Sequence, residues 1–439
     1  MRIRYYCHYA KLSGIGRAAR DYLLALHQVD DVELEIACLG EGVASPEPRY
    51  QSLDSLARSY DDVVGVPDVA IYHTTLRVLE TLRPASAEAR DGGAKRIALT
   101  TWETQPLPAA YKHTLAGYDA VIVPSDFCRS VIGDAYELEI VEDSGWSPIV
   151  ERSGILEQNR LTTLDRGGPP IHVVPHCFDE AWWPLPEVRD RDEKDAFRFI
   201  SIGAWGERKN MLGLLRAYLH AFTKVDQVQL ALMIDKPDFD EIRSLVARSG
   251  RPPHLLPELH IPDYVSFTER ELVELYVDAD CYVTATRAEG WGLGEFGAAI
   301  MGKHIIAPMW GGQEDFLYNY GLHRSVPHQM TPCFGGESRN RLVERDGNTF
   351  QATTVSLPFG VDCKQMWGDP DLVAIADQMR SLYDDAMNAD RDLIEPLSID
   401  DLRKERAQLE ARFGYKTVGP LMANTLREIA WHSKTFSTH

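Results

Sequence analysis

The sequence has no run of about 18 consecutive apolar residues, and length alone therefore argues against a membrane-spanning helix. Its seven cysteines are scattered, with no C-x-x-C and no paired spacing. That pattern excludes a disulfide framework and predicts reduced thiols. Cys38 and Cys281 lie in apolar runs and read as core residues. The 14 histidines also lack metal-ligand spacing, and no metal site is expected. The first residues, MRIRYYCHYAKLSG, carry no long apolar core of the signal-peptide type and read as a first β-strand. Together these absences predict a cytoplasmic protein. Positive charge is also short: 46 Lys and Arg against 66 Asp and Glu, a formal net charge of −20. Such a balance argues against broad contact with nucleic acid or anionic lipid and leaves room only for a local basic patch.

What is present is ordinary for a soluble globular chain. It has 439 residues, 44% of them apolar and 26% charged, enough for two or three domains. Strand-like and helix-like stretches alternate through most of it, which predicts parallel α/β architecture. Strands are expected near Arg2–Tyr9, Val32–Leu39, Val69–Thr74, Arg96–Trp102, Ala120–Ser125 and His172–His176, with a first helix over Gly16–His27. A polar, proline-bearing run from Pro184 to Ala196 reads as a linker. The pattern then restarts: strand Phe197–Gly203, helix Met211–Phe222, strand Val228–Asp235, then Val265–Phe267, helix Glu271–Ala279 and strand Cys281–Thr286. Two segments, Glu137–Pro170 and Tyr318–Trp367, show no clear period and are long for connections. Val418–Trp431 reads as an amphipathic helix with Met422, Leu426 and Ile429 on one face.

The most informative stretch is Glu289 to Pro308, EGWGLGEFGAAIMGKHIIAP. A glycine-punctuated loop (Gly290, Trp291, Gly292, Leu293, Gly294) separates the strand Cys281–Thr286 from a short helix over Glu295–Met301, and His304–Pro308 reads as the next strand. Glycines at this spacing let the backbone turn sharply and approach a ligand closely. The following helix start offers free N–H groups and a positive dipole end, which suits a phosphate. Any α/β loop can carry glycines; the added signal is the carboxylate Glu289 at the loop entrance.

This stretch resembles the signature of the retaining, GT-B-fold nucleotide-sugar glycosyltransferases, in particular glycosyltransferase family 4. That signature is a glutamate, an aromatic flanked by glycines, and a second glutamate after seven intervening residues. The resemblance implies that Glu289 contacts hydroxyls of a donor sugar, and that the glycine loop with Glu295 lies against the donor. The second glutamate, which in the family holds the ribose, would fall at Gly297 and is absent. Glu295 stands two residues earlier, about 200° away around a helix.

Other positions extend the resemblance across nearly the whole chain. Ser13-Gly14-Ile15-Gly16-Arg17 follows the first strand and opens the first helix. In the family the equivalent turn, here Gly14 and Gly16, lies near the donor diphosphate; alone, a glycine-rich turn also fits a dehydrogenase or a structural role. Arg208-Lys209-Asn210 opens the first helix of the second half. A basic pair is unfavourable at that end of the helix macrodipole, which argues for an anion there. The resemblance implies that Lys209 neutralises the departing diphosphate; its family partner, an arginine five residues earlier, is Ala204 here, and Arg208 is adjacent. Trp102-Glu103 ends a strand at the edge where open α/β sheets bind ligands. Glu103 is thus an acceptor-side candidate or a structural cap, and His176 an acceptor-side or packing residue. Trp310–Phe316 and Trp367–Pro370 also look like family sequence.

The expected architecture is α/β of GT-B type, two doubly wound Rossmann-like domains facing across a cleft. Residues 1–184 form the acceptor-side domain, 185–196 the linker, 197–414 the donor domain and 415–439 a helix crossing back. The implied activity is a retaining, metal-independent hexosyl transfer from a nucleotide-sugar to an acceptor hydroxyl on a glycan or glycolipid, as in glycan biosynthesis, with no cofactor. The alternatives are a catalytically reduced GT-B binding or scaffold protein, for which Ala204 and Gly297 speak, and a glycosyltransferase acting on modified DNA bases, against which the charge speaks. A dehydrogenase would leave the second-half motifs unexplained.

Overall fold

The computed structural model describes residues 1–40, 42–45, 47–82, 91–136, 168–185, 195–262, 267–333, 342–345, 348–351, 365–387 and 398–431. Most of the irregular segment 137–170, most of the linker and the start of the strand expected at Val265 lie outside the described residues. The chain divides into two units, Met1–Asp179 with Phe413–His439, and Glu180–Arg412.

The first unit is built on seven strands: β1 (Arg2–Cys7), β2 (Glu33–Cys38), β3 (Ala57–Ser59), β4 (Val69–His73), β5 (Lys95–Leu99), β6 (Ala120–Val123) and β7 (Ile171–Val173). They pair in parallel in the order β3-β2-β1-β4-β5-β6-β7. β1, β4 and β6 are buried almost throughout, as a parallel sheet covered on both faces requires. Helices α1 (Gly14–His27), α2 (Leu76–Thr81), α3 (Ala109–Leu115) and α4 (Asp126–Asp134) connect them. Arg4 of β1 is fully buried and donates to Glu35 at 2.7 Å and to Asp91 at 2.8 Å. Tyr6 and Tyr72 also donate to Asp91, so this buried carboxylate is multiply hydrogen-bonded.

The second unit holds a six-stranded sheet of β8 (Phe197–Ala204), β9 (Val228–Asp235), β10 (Glu258–His260), β11 (Cys281–Val283), β12 (His304–Pro308) and β13 (His323–Val326). Its order is β10-β9-β8-β11-β12-β13, again all parallel. Helices α5 (Met211–Ala221), α6 (Phe239–Arg248), α7 (Glu269–Asp278), α8 (Leu293–Ile300), α9 (Glu314–Leu317), α10 (Leu372–Met387) and α11 (Ile399–Phe413) belong to this half of the chain. β14 (His328–Pro332) pairs antiparallel with β17 (Met366–Pro370). β15 (Leu342–Arg345) and β16 (Asn348–Gln351) pair antiparallel.

Three features differ from the sequence expectation. The helix after the glycine loop begins at Leu293, two residues before the predicted start, because Gly292 adopts φ +90° and turns the chain directly into it. The stretch from Tyr318 contains an edge strand, β13, whose four residues HRSV show no apolar alternation. α7 starts at Glu269 because Thr268 caps it, accepting from the Glu271 N–H while the Glu271 carboxylate accepts from the Thr268 N–H. The last helix, α12 (Tyr415–Trp431), joins the first unit's core through Tyr415, Val418, Met422, Ala423 and Leu426.

Candidate functional site

Strand order brings distant parts of the sequence together in the second unit. β8, β11 and β12 are adjacent and parallel, with Tyr282 opposite Ile200 and Val283 opposite Ile306. Their C-terminal ends therefore deliver three connections to one edge: residues 205–210, 284–292 and 309–313. Ligands of open α/β sheets bind at this edge.

Glu289 lies at the centre. It is 6% exposed, and its Oε1 accepts from Lys209 Nζ at 2.5 Å and from Thr286 Oγ1 at 2.7 Å. Its Oε2 lies 3.2 Å from Arg208 Nη1, which also donates to the Ala288 carbonyl at 2.6 Å. Burial would raise the carboxyl's pKa, but the charges of Lys209 and Arg208 and the bonds from Lys209 and Thr286 hold it down to about 2. Lys209 and Arg208 stay partly open, their side chains 18% and 32% exposed.

The loop carrying the two cations is itself clamped. Arg287 N–H donates to the Arg208 carbonyl at 2.7 Å. The Arg287 guanidinium bonds the Glu207 carbonyl and carboxylate and the Asp369 carboxylate, the last at 2.7 Å. Asn210, φ +52°, turns the chain into α5; asparagine tolerates that left-handed conformation better than most residues. Thr286 and Arg287 carry no sequence signal of their own, because an apolar run ending in Thr-Arg is common.

The glycine loop is packed from below. Trp291 is 2% exposed and its ring lies 5.3 Å from that of Phe296 and 5.2 Å from that of Phe316. The indole thus wedges the loop, which is a different place from the donor contact the sequence predicted. The 309–313 turn closes on Glu289–Gly290: Gly312 N–H donates to the Glu289 carbonyl at 2.8 Å, and a Cβ built on Gly312 would lie 2.0 Å from the Gly290 carbonyl oxygen. Only glycine permits that approach. Glu295, in the first turn of α8, is 1% exposed; burial and the Glu289 charge push its carboxyl up to about 7.

The remaining predicted residues lie in the first unit. Ser13 caps α1 by accepting from Gly16 N–H at 3.3 Å, and a Cβ on Gly16 would lie 2.3 Å from the Lys11 carbonyl oxygen. Gly14 is the first residue of the same helix. Trp102 is buried against Tyr111, its carbonyl accepting from Cys128 Sγ–H, while Glu103 is partly exposed. His176 is buried beside Tyr22, ring centroids 5.4 Å apart, and burial holds its pKa down to about 3. A histidine so sealed is neutral and packs. Among the described residues no group of three or more His, Cys, Asp or Glu is placed to hold a metal ion.

No protein-family model and no curated protein matches the sequence. Solved structures match it over nearly its full length. Anabaena HepE in complex with UDP-glucose is 12% identical with a TM-score of 0.56, over 98% of this chain and 100% of that one. A glycosyltransferase from Rickettsia africae ESF-5 gives 12% and 0.56, over 98% of each chain. Sucrose-phosphate synthase from Thermosynechococcus elongatus gives 12% and 0.56, over 98% and 99%. The fold is GT-B.

Within this GT-B chain the position of the missing second glutamate is occupied by other atoms. A Cβ on Gly297 would lie 2.7–2.8 Å from the Cε2, Cζ and hydroxyl oxygen of Tyr276. Tyr276 is fully buried and donates to the Gly294 carbonyl at 2.8 Å. Tyr282, whose hydroxyl donates to the Ile202 carbonyl, would meet a Cβ on Gly294 at 2.2 Å. The tyrosines and the glycines are thus complementary: the helix start is glycine-rich because aromatic rings fill the space that side chains would take.

Proposed function

We propose that this protein is a retaining, metal-independent glycosyltransferase that moves a hexose-type sugar from a nucleotide-sugar, a UDP-sugar first among candidates, to an acceptor hydroxyl of a glycan or glycolipid. The observation that carries it is the cluster of Glu289, Lys209 and Arg208 at the C-terminal edge of the second sheet, between two glycine turns. The UDP and UDP-glucose bound to structures of the same fold support the donor class.

Chemically, the cluster suits charge stabilisation rather than proton abstraction. Glu289 is held ionised, so it is a hydrogen-bond acceptor for sugar hydroxyls and a poor proton acceptor at neutral pH. Lys209 and Arg208 supply the positive charge that a departing diphosphate needs. In front-face displacement the bond from the anomeric carbon to the phosphate oxygen breaks, and the acceptor oxygen bonds the same face. The leaving phosphate takes the acceptor's proton, and no further base is required. Glu289 contributes orientation of the sugar. Gly14 and Gly16 of the first unit are assigned to the diphosphate, and Trp102, Glu103 and His176 to the acceptor side, with His176 acting by packing.

Two observations favour a second reading, a GT-B protein that binds nucleotide-sugar without transferring it: Tyr276 fills the space of the ribose-holding carboxylate, and Ala204 replaces the family arginine. A thermal-shift panel of nucleotides and nucleotide-sugars, followed by a donor-turnover assay on those that bind, separates the two. Binding with turnover and retained anomeric configuration supports transfer. Binding without turnover supports the second reading, and no binding by any nucleotide-sugar rejects both.

A further inference from the structure

Among the described residues, two buried polar groups beneath the glycine loop find no hydrogen-bond donor or acceptor on another residue. They are both carboxyl oxygens of Glu295 and the Oε1 of Gln313. Gln313 is fully buried, and its amide nitrogen already donates to the Pro308 carbonyl at 3.2 Å. Both residues flank Gly292: a Cβ there would lie 3.1 Å from Glu295 Oε2 and 3.2 Å from Gln313 Cβ. The charged and titratable groups that face Glu295 are Glu289, Lys209 and Arg208 from the two loops and Tyr282 from β11. Lys209 and Arg208 are committed to Glu289.

An ionised carboxylate sealed from water, with only its own backbone N–H as a donor and beside a second ionised carboxylate, is strongly disfavoured. A neutral carboxylic acid turns one oxygen into a donor, and Gln313 Oε1 is an acceptor in need of one. We propose that Glu295 is a positioning residue, a neutral acid whose hydroxyl donates to the Gln313 amide oxygen and so ties the start of α8, with the Glu289–Gly292 loop before it, to the 309–313 turn. That tie adds to the one made by Gly312 N–H on the Glu289 carbonyl. Its effect on donor binding rests on the proposed nucleotide-sugar activity; its effect on the free protein does not.

The sign of the pH dependence follows. Glu295 is pushed up to about 7 from the ordinary 4.5, so the folded chain keeps a proton that the unfolded chain has lost. This contribution to stability is complete below the unfolded value and disappears as pH rises through the folded one. The test is thermal melting of the full ligand-free chain from about pH 5 to about pH 9, for wild type, Glu295→Gln and Gln313→Leu. The wild-type melting temperature is expected to fall across neutrality relative to Glu295→Gln, which keeps a donor and cannot titrate. Gln313→Leu removes the acceptor, and with it part of the wild-type fall. Calorimetric titration with UDP-glucose gives the second readout: the wild-type Kd rises several-fold across the same range, and that of Glu295→Gln stays flat. Parallel pH profiles for wild type and Glu295→Gln would overturn the proposal. If Glu295→Gln does not fold, an unchanged profile in Gln313→Leu overturns it equally. Absence of UDP-glucose binding at every pH would reject the donor assignment, while the melting comparison would still decide Glu295.

Discussion

Lys209 Nζ lies 2.5 Å from a buried carboxylate, and the diphosphate of the proposed donor would have to compete with that carboxylate for it. The competition suits a catalyst that needs its cation placed before the leaving group develops charge. Lys209→Ala is expected to lower kcat by about a hundredfold or more, as loss of a preorganised charge stabiliser does. It also leaves Glu289 with Arg208 and Thr286 alone, at a stability cost of about 1–3 kcal/mol, below the usual cost of breaking a buried pair because partners remain. Steady-state kinetics and chemical denaturation measure the two effects; normal turnover in a destabilised variant would make Lys209 purely structural. Glu289→Gln removes the charge proposed to orient the donor and keeps the shape. Transfer should fall strongly at saturating donor, and unchanged transfer there would take Glu289 out of the site. Its acid behaviour has the opposite sign to that of Glu295. Held down to about 2, Glu289 stabilises the fold fully above its ordinary 4.5, and that contribution is lost as pH falls toward 2.

At the scale of elements, the glycines carry the information and the tyrosines explain it. The sequence predicted a ligand loop at Gly290, Gly292 and Gly294; a loop does join β11 to α8 through Gly290 and Gly292, while Gly294 already belongs to the helix. The resemblance implied separate roles for Glu289 and Lys209, and their direct contact was not legible, since 80 residues separate them and strand order alone joins them. The roles of Tyr276 and Gln313 were not legible: nothing in a helix Glu269–Asp278 announces that one of its rings fills the space beside another helix's glycine. The short edge strand β13 was hidden for a different reason, having no apolar alternation to read. Gly297→Glu has one expected outcome. With the Tyr276 ring 2.7 Å from the new Cβ, overpacking should cost about 1–3 kcal/mol or more, seen as a lower denaturant midpoint. Greater nucleotide affinity with unchanged stability would mean that Tyr276 yields the space. The same crowding predicts that ribose is not held by a carboxylate here. Titration calorimetry should find UDP and 2′-deoxy-UDP within about tenfold of each other, less than one charge-assisted hydrogen bond would give. A strong preference for UDP would place another ribose-holding group in the site.

At the scale of the whole molecule, alternation of strands and helices made two parallel α/β sheets readable, and the fold matches that reading. Which chain segments complete each unit is less readable, because it depends on one helix after Phe413. α12 returns to the first unit, where a Cβ on Gly419 would meet the Ala25 carbonyl oxygen at 2.5 Å, so the two helices cross with backbones close. Met422 and Leu426 are fully buried against the core that contains Ala19, Tyr22 and Leu26, and the Tyr415 hydroxyl donates to the buried Asp21. The first unit is therefore completed only when the last part of the chain has been made. Leu426→Ala should cost about 2–5 kcal/mol, the range for a buried leucine replaced by a cavity. The loss should appear in the first unit, although the substitution lies far from it in sequence. Hydrogen exchange, measured unit by unit, decides: faster exchange in β1, β2 and α1 with β8–β12 unchanged is the expected result. Uniform acceleration in both sheets would show that the chain unfolds as a single cooperative block, and loss confined to α12 would show that the first unit stands without it.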